Sequence, residues 1–303
     1  MTVLVTGAAG FVGSHVVRQL LEQNKDVAAL VRPGSPRPRL NGVEARIQIL
    51  EGDLQDTETI AALLDETKPE ACIHTAWYAE PGKYLPSPKN LDSLRASLRL
   101  LEELARAGCK HVVGVGTCFE YEMADKPLRE DSPTKPFTLY AASKLAFMLV
   151  AAQRAPQLGM GFAWARLFYL YGPYEDDIRL VPAAIKALTE GREFKASDGA
   201  MVRDYLHVAD VASGLCAVSE QRLEGAFNVC SGEAATIAGL MQTLGELLGR
   251  PELIRLGAFP KRDWDPMYVC GVSSRLRTEA RWSPRYALRE GLANMIEWCK
   301  GAT

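Results

Sequence analysis

The sequence predicts an α/β fold, a doubly wound parallel sheet with a smaller α/β lobe toward the C-terminus. Three observations carry this. Apolar runs of strand length alternate with amphipathic runs of helix length from residue 2 to residue 167. A glycine-rich turn, Gly7-Ala8-Ala9-Gly10-Phe11-Val12-Gly13, separates the first strand from the first helix. Beyond residue 169 the alternation loosens.

Each element follows in order. Residues 2–6 form a buried strand, and residues 14–22 a helix with Val16, Val17, Leu20 and Leu21 on one side. Strand, glycine turn and helix together cradle a pyrophosphate, because glycines let phosphates approach the backbone and the helix start offers N–H groups and partial positive charge. The turn is spaced G-x-x-G-x-x-G. Residues 27–31 are a second strand, stopped by Arg32-Pro33-Gly34-Ser35-Pro36, and residues 47–50 a third, leading into Asp53-Leu54. Asp56 or Thr57 caps a helix over residues 60–64, and residues 71–74 make a fourth strand, which Thr75-Ala76-Trp77 leaves. A loop with three prolines (80–90) precedes a helix at 91–107, with Leu94, Leu98, Leu101 and Leu104 at helical spacing. Residues 111–116 are a fifth strand, 137–154 a helix and 162–167 a sixth strand. Further on, 180–190, 237–248 and 288–300 read as helices, and 200–208 and 227–229 as strands. The predicted division is a Rossmann-like dinucleotide-binding domain at 1–168 and a substrate-binding lobe at 169–303, with segments of the lobe interleaving back onto the sheet.

Composition narrows the class. The chain has 303 residues, 48% of them hydrophobic, enough for a large core. Its formal net charge is -2, with no basic block or acidic tail, which argues against nucleic acid and membrane surfaces as partners. Seven scattered cysteines, without C-x-x-C spacing, argue against a disulfide framework or a metal site and for reduced thiols in a cytoplasm. Met1 leads straight into a strand, so no signal peptide is expected, and no apolar run has membrane-spanning length.

The chemistry is carried by Tyr140-Ala141-Ala142-Ser143-Lys144. A tyrosine and a lysine four apart share one helix face, where the ammonium favours the phenolate. Thr117 ends a strand 23 residues earlier, with a hydroxyl for the same substrate oxygen. The three make an acid/base site for a carbonyl–alcohol pair beside a nicotinamide.

Here the chain resembles the extended short-chain dehydrogenase/reductases, in particular the nucleotide-sugar epimerases, dehydratases and 4-ketoreductases. Thr6 to Gly13 resembles that family's T-G-x-x-G-F-x-G turn, and Asp53-Leu54 stands where the family keeps an aspartate beside the adenine. His74-Thr75-Ala76 resembles its H-x-A segment, Thr117 with Tyr121 its S/T-x-x-x-Y strand end, and Tyr140 with Lys144 its Y-x-x-x-K. Arg166 to Pro173 resembles R-x-F-N-x-Y-G-P, and Arg203 to Val211 resembles R-D-F-x-H-V-x-D-V. The resemblance implies Gly7, Gly10, Phe11, Val12, Gly13, Asp53, Leu54, Thr75, Ala76, Tyr140 and Lys144 as coenzyme contacts. It implies Tyr140 as acid/base, Lys144 on the nicotinamide ribose, Thr117 on the substrate oxygen and Arg203 on the substrate's nucleotide. Trp77, Cys118, Phe119, Tyr169, Arg179 and Arg262 are further substrate candidates, with Lys261 beside the last. Asp204, His207 and Asp210 are expected to brace the lobe, and His15 and His111 to be scaffold. Homodimerisation through 91–107 and 137–154 is also implied, with Leu98, Leu101 and Phe147 suited equally to that contact or to the core of a monomer.

Departures from the pattern narrow the reaction. Tyr169 replaces the asparagine that grips the substrate diphosphate in relatives. The Asp-Glu pair that follows the hydroxyl residue in sugar 4,6-dehydratases is here Cys118-Phe119, and phenylalanine moves no protons. Fucose synthases and related 3,5-epimerases keep a cysteine base two residues after the hydroxyl residue. Cys118 is one residue after Thr117, where a neighbouring strand side chain faces the other way. Redox at one carbon remains. The second strand ends at Arg32, with no acid before Glu44, which favours NADP(H) over NAD(H), since a guanidinium pairs with a 2′-phosphate. The sequence-based expectation is therefore NADPH-dependent reduction of the 4-keto group of a nucleotide-linked deoxy sugar. The enzymatic alternative is an NAD-dependent 4-epimerase. The non-enzymatic one is a redox-sensing or RNA-associated binding protein on the same fold.

Overall fold

The computed structural model describes residues 1–260 and 264–301. Its centre is a seven-stranded parallel sheet. The chain enters through β1 (Thr2–Thr6), α1 (Phe11–Glu22), β2 (Asp26–Val31), β3 (Gln48–Glu51), α2 (Thr57–Thr67) and β4 (Ala71–His74). It continues through α3 (Lys89–Arg106), β5 (His111–Thr117), α4 (Leu139–Gln157) and β6 (Gly161–Leu167). The smaller lobe follows with β7 (Tyr169–Tyr171), α5 (Leu180–Thr189), β8 (Phe194–Lys195), β9 (Val202–His207) and α6 (Val208–Glu220). Next come β10 (Gly225–Val229), β11 (Ala234–Thr236), α7 (Ile237–Leu248), β12 (Ile254–Arg255) and β13 (Tyr268–Val269), and α8 (Ser274–Glu279) and α9 (Leu288–Gly301) close the chain.

The main sheet runs β10-β6-β5-β4-β1-β2-β3. From β1 the chain winds outward to β2 and β3, then returns beside β1 as β4 and winds the other way. This reversal opens a crevice at the carboxyl ends of β1 and β4, where ligands of such sheets bind. Both faces are covered, so the strands read as continuous apolar runs. α1 and α6 pack together on one face, over Val3, Val5, Val113 and Phe227. α2, α3 and α4 cover the other, with Leu100, Leu101, Leu104 and Phe147 packed over Leu4, Val112 and Trp164. Leu101 and Phe147, suited equally to a dimer contact or to the core, are thus core residues.

In the lobe, β9 is paired by β11 antiparallel and by β13 and β7 parallel. Leu240, Leu244, Leu292 and Met295 pack beneath it. The stretch where the alternation loosens begins with a strand, since Tyr169–Tyr171 pairs with β9. A three-residue strand is too short for a periodic signal. The helix expected from 137 starts at Leu139, because the Thr138 hydroxyl accepts from the Ala141 N–H at 3.1 Å and caps it. Two buried carboxylates tie the lobe to the sheet. Asp204 accepts from the N–H groups of Ser231, Gly232 and Gly271, and Asp210 from those of Arg285 and Tyr286.

Candidate active site

The crevice begins with the glycine turn. Gly7 has φ +67, a left-handed conformation that favours glycine, and a Cβ there would lie 2.8 Å from the Ala76 nitrogen. A Cβ on Gly13 would lie 2.2 Å from the Gly7 carbonyl oxygen. α1 therefore starts tight against the turn. Its N-cap, Gly10, has no side chain to satisfy the first N–H groups, and the first turn carries no acid. An uncapped helix start behind a backbone packed this closely fits a dinucleotide's pyrophosphate. Opposite, Thr75 Oγ1 donates to the Thr6 carbonyl at 2.7 Å, and the Ala76 N–H to Thr6 Oγ1 at 3.3 Å. Beneath them His74 bridges Thr6 Oγ1 (2.7 Å) and Ser97 Oγ (2.8 Å), and burial lowers its pKa to about 3. Phe11 and Val12 open α1, half-buried.

The acid/base candidates lie where β5 meets α4. Thr117 ends β5, and its main-chain N–H donates to the buried Glu120 Oε1 at 2.9 Å. Glu120 in turn accepts from Arg166 Nε at 2.7 Å and from the Trp164 indole. Tyr140 occupies the first turn of α4, and its N–H donates to the Leu85 carbonyl at 3.0 Å. Lys144, one turn on, reaches back to β5 and donates to the Val115 carbonyl at 2.6 Å. Its Nζ lies 4.2 Å from the Trp77 ring centroid and 5.9 Å from that of Tyr140. One expectation changes here. Burial raises the Tyr140 pKa, with the nearby Tyr84 adding to the effect. Burial also lowers Lys144 to about 7.

Around this centre lies an aromatic wall. The Tyr84 ring meets Tyr140 edge-on at 4.8 Å, and the Arg179 guanidinium sits 5.8 Å from the Tyr84 ring. Phe119 packs against Phe137 at 5.3 Å and Tyr169 at 6.3 Å. Arg203 is buried, with its guanidinium 5.0 Å from the Tyr169 ring, and donates to Asp265 Oδ1 at 2.7 Å. The Tyr169 hydroxyl and Glu175 Oε2 are buried without a hydrogen-bond partner. Burial pushes the Glu175 carboxyl up to about 8 and the Cys118 thiol up to about 12. An oxidation–reduction site at one carbon is what this set of groups can support.

Comparison with known proteins identifies the family. The model of the NAD dependent epimerase/dehydratase family matches residues 3–230. The chain belongs to this family. The UDP-glucose 4-epimerase of Corynebacterium glutamicum is 28% identical over 307 residues, covering 94% of this chain and 92% of that protein. The Thermus thermophilus UDP-glucose 4-epimerase, solved with NAD, superposes with a TM-score of 0.89 at 26% identity, covering all of both chains. DesIV, a dTDP-glucose 4,6-dehydratase from Streptomyces venezuelae solved with NAD, gives a TM-score of 0.88 at 27% identity, covering 99% of this chain and 97% of that one. An enzyme acting on nucleotide sugars through a nicotinamide dinucleotide is thereby supported. A preference for NADP and a 4-ketoreductase activity are not.

Within the epimerase/dehydratase frame, the remaining predicted residues fall in three places. Asp53 and Leu54 follow β3, with Asp53 Oδ1 accepting from the Gln55 N–H. Arg32 is exposed at the end of β2. The adjoining end of β3 carries Glu51, in register with Val31 and paired with Arg37. This carboxylate lies on a neighbouring strand, 19 positions beyond Arg32 in the sequence. Arg262 and Lys261 lie outside the described residues. Tyr84, Asn90, Glu175 and Asp265 were not singled out from the sequence. Tyr84, Glu175 and Asp265 stand in loops and Asn90 in the first turn of α3, where no periodicity marks a side chain's direction.

Proposed function

We propose that this protein is an NAD-dependent 4-epimerase of a nucleoside-diphosphate-linked hexose. One observation carries the reading. Thr117, Tyr140 and Lys144 are all present at the junction of β5 and α4, while the two positions after Thr117 hold a buried thiol pushed up to about 12 and a phenyl ring. Proton traffic is then confined to one carbon–oxygen bond. Likeness to UDP-glucose 4-epimerases along 94% of the chain favours a reaction with no net redox change. NAD bound in the Thermus thermophilus UDP-glucose 4-epimerase favours NAD over NADP as the coenzyme.

In this reading Gly7, Gly10 and Gly13, with the N–H groups of Phe11 and Val12, hold the coenzyme's pyrophosphate. Asp53 and Leu54 border the adenine, and Thr75 and Ala76 line the crevice. When bound, the nicotinamide supplies the hydride acceptor and donor. Tyr140 takes the proton from the sugar O4 hydroxyl and later returns it. Thr117 hydrogen-bonds the same oxygen, and the Lys144 charge favours the Tyr140 phenolate. Arg203 and Tyr169 face the diphosphate, and Trp77, Phe119 and Arg179 line the sugar. A homodimer through α3 and α4 belongs to the same reading, with Leu149 and Val150 as exposed apolar contacts on α4. So does a reducing, cytoplasmic setting.

The test is to incubate purified protein with UDP-glucose or UDP-galactose without added coenzyme. Formation of the 4-epimer, with NAD released on denaturation, is the expected result. Stoichiometric consumption of NADPH on a 4-keto nucleotide sugar overturns it in favour of the ketoreductase, the reading that Arg32 favours.

A further inference from the structure

We infer that Trp77 is a positioning residue for Lys144, fastened by Asn90, and that its indole face holds the ammonium of Lys144 in the buried site. The lysine is almost wholly out of water, at 3% exposure. Its Nζ has the Val115 carbonyl at 2.6 Å and the Trp77 ring centroid at 4.2 Å. Tyrosine at position 140 faces it from its own helix, His74 from β4 and Glu120 from the turn after β5. Tyr140 and His74 are both held neutral by burial. The Glu120 carboxylate is already bonded to Arg166, Trp164 and the Thr117 N–H. The Trp77 quadrupole is therefore the second close partner of the cation, in surroundings where such a contact is strong.

The ring is held in that position. Its Nε1 donates to Asn90 Oδ1 at 2.8 Å, and Asn90 is fully buried. The Asn90 amide donates onward to the carbonyls of Tyr84 (2.6 Å) and Ser87 (2.9 Å). Leu85, in the same loop, accepts from the Tyr140 N–H, and Tyr84 meets the Tyr140 ring edge-on. One buried amide thus fastens a loop that touches both Tyr140 and Lys144. The inference rests on the proposed role of the Lys144 charge, but its first readout needs neither turnover nor coenzyme.

That readout is the titration of Lys144 by NMR in coenzyme-free protein with isotope-labelled lysine, the signal assigned by its loss in Lys144→Arg. Trp77→Leu is expected to move the midpoint down by about one pH unit, and Trp77→Phe, which keeps a weaker aromatic face, by about half as much. Asn90→Ser is expected to fall between them. Calorimetric NAD affinity of Trp77→Leu should drop by about tenfold at pH 8 and hardly at pH 6. The alkaline limb of kcat/KM should move with the midpoint. A midpoint unmoved in folded Trp77→Leu, or an affinity and activity loss equal at every pH, overturns the inference. If Trp77→Leu fails to fold, an unmoved Trp77→Phe midpoint does the same. Absence of 4-epimerase activity in the wild type would instead count against the proposed function, and leave the midpoint test intact.

Discussion

The side-chain nitrogen of Lys144 donates to the carbonyl oxygen of Val115 across 2.6 Å, tying α4 to the strand that ends at Thr117. The tie is costly, because burial lowers the lysine from its ordinary 10.5 to about 7. Between those values the unfolded chain binds a proton that the folded chain does not, so this group makes stability rise with pH across that window. Lys144→Met should flatten that rise in denaturant titrations. It should also stabilise the protein at pH 7 by about 1–3 kcal/mol while lowering kcat by about a thousandfold or more. A destabilised Lys144→Met would show that the lysine is a net structural asset.

Gly13 is the tightest point of the turn. A methyl group 2.2 Å from the Gly7 carbonyl oxygen forces α1 away from β1. Gly13→Ala should lose about 1–3 kcal/mol in thermal melts and purify largely without coenzyme. A variant with full coenzyme content would refute the close approach.

Cys118 is buried, and its thiol is pushed up to about 12 by burial. It holds its proton at working pH and takes no part in proton transfer. Cys118→Ala should keep kcat within about twofold, against the hundredfold or greater loss expected for an acid/base residue. Steady-state kinetics on the preferred nucleotide sugar decides between the two.

Glu120 and Arg166 form a buried pair at 2.7 Å, beneath Thr117. Glu120→Gln removes the charge and leaves the guanidinium buried and uncompensated. A loss of about 3–5 kcal/mol in unfolding free energy is expected. Stability within about 1 kcal/mol of wild type would mean that the pair is replaceable by a neutral hydrogen bond.

Arg203 is held against Asp265 at 2.7 Å and beside the Tyr169 ring. If it meets the substrate diphosphate, Arg203→Ala should raise KM by about ten- to a hundredfold with kcat little changed. Arg203→Lys should restore little, because a lysine lacks the planar fork. An unchanged KM would assign Arg203 to bracing the lobe.

Much of this was legible in the residues. The glycine turn, Thr117 and the Tyr140–Lys144 pair lie on elements whose patterns are local. Spacing alone placed the tyrosine and lysine one helical turn apart. Arg32 cannot be read so locally. Its meaning depends on Glu51, which lies 19 positions further along the chain but beside the end of β2, through the Val31 register. The 80–90 loop was equally opaque. Its prolines announced a turn, and no periodicity indicated that the amide of Asn90, in the first turn of α3, would hold Trp77 over Lys144.

By itself, the sequence determined the α/β class, a candidate place for a dinucleotide and the candidate acid/base residues, because backbone freedom at glycine and the 3.6-residue period act over a few positions. Only the tertiary structure decided which charges survive burial. Lys144 lowered to about 7, Cys118 raised to about 12 and Arg203 engaged by Asp265 are all outcomes of desolvation and of contacts between distant segments. Those depend on where the whole chain excludes water, which no short stretch encodes.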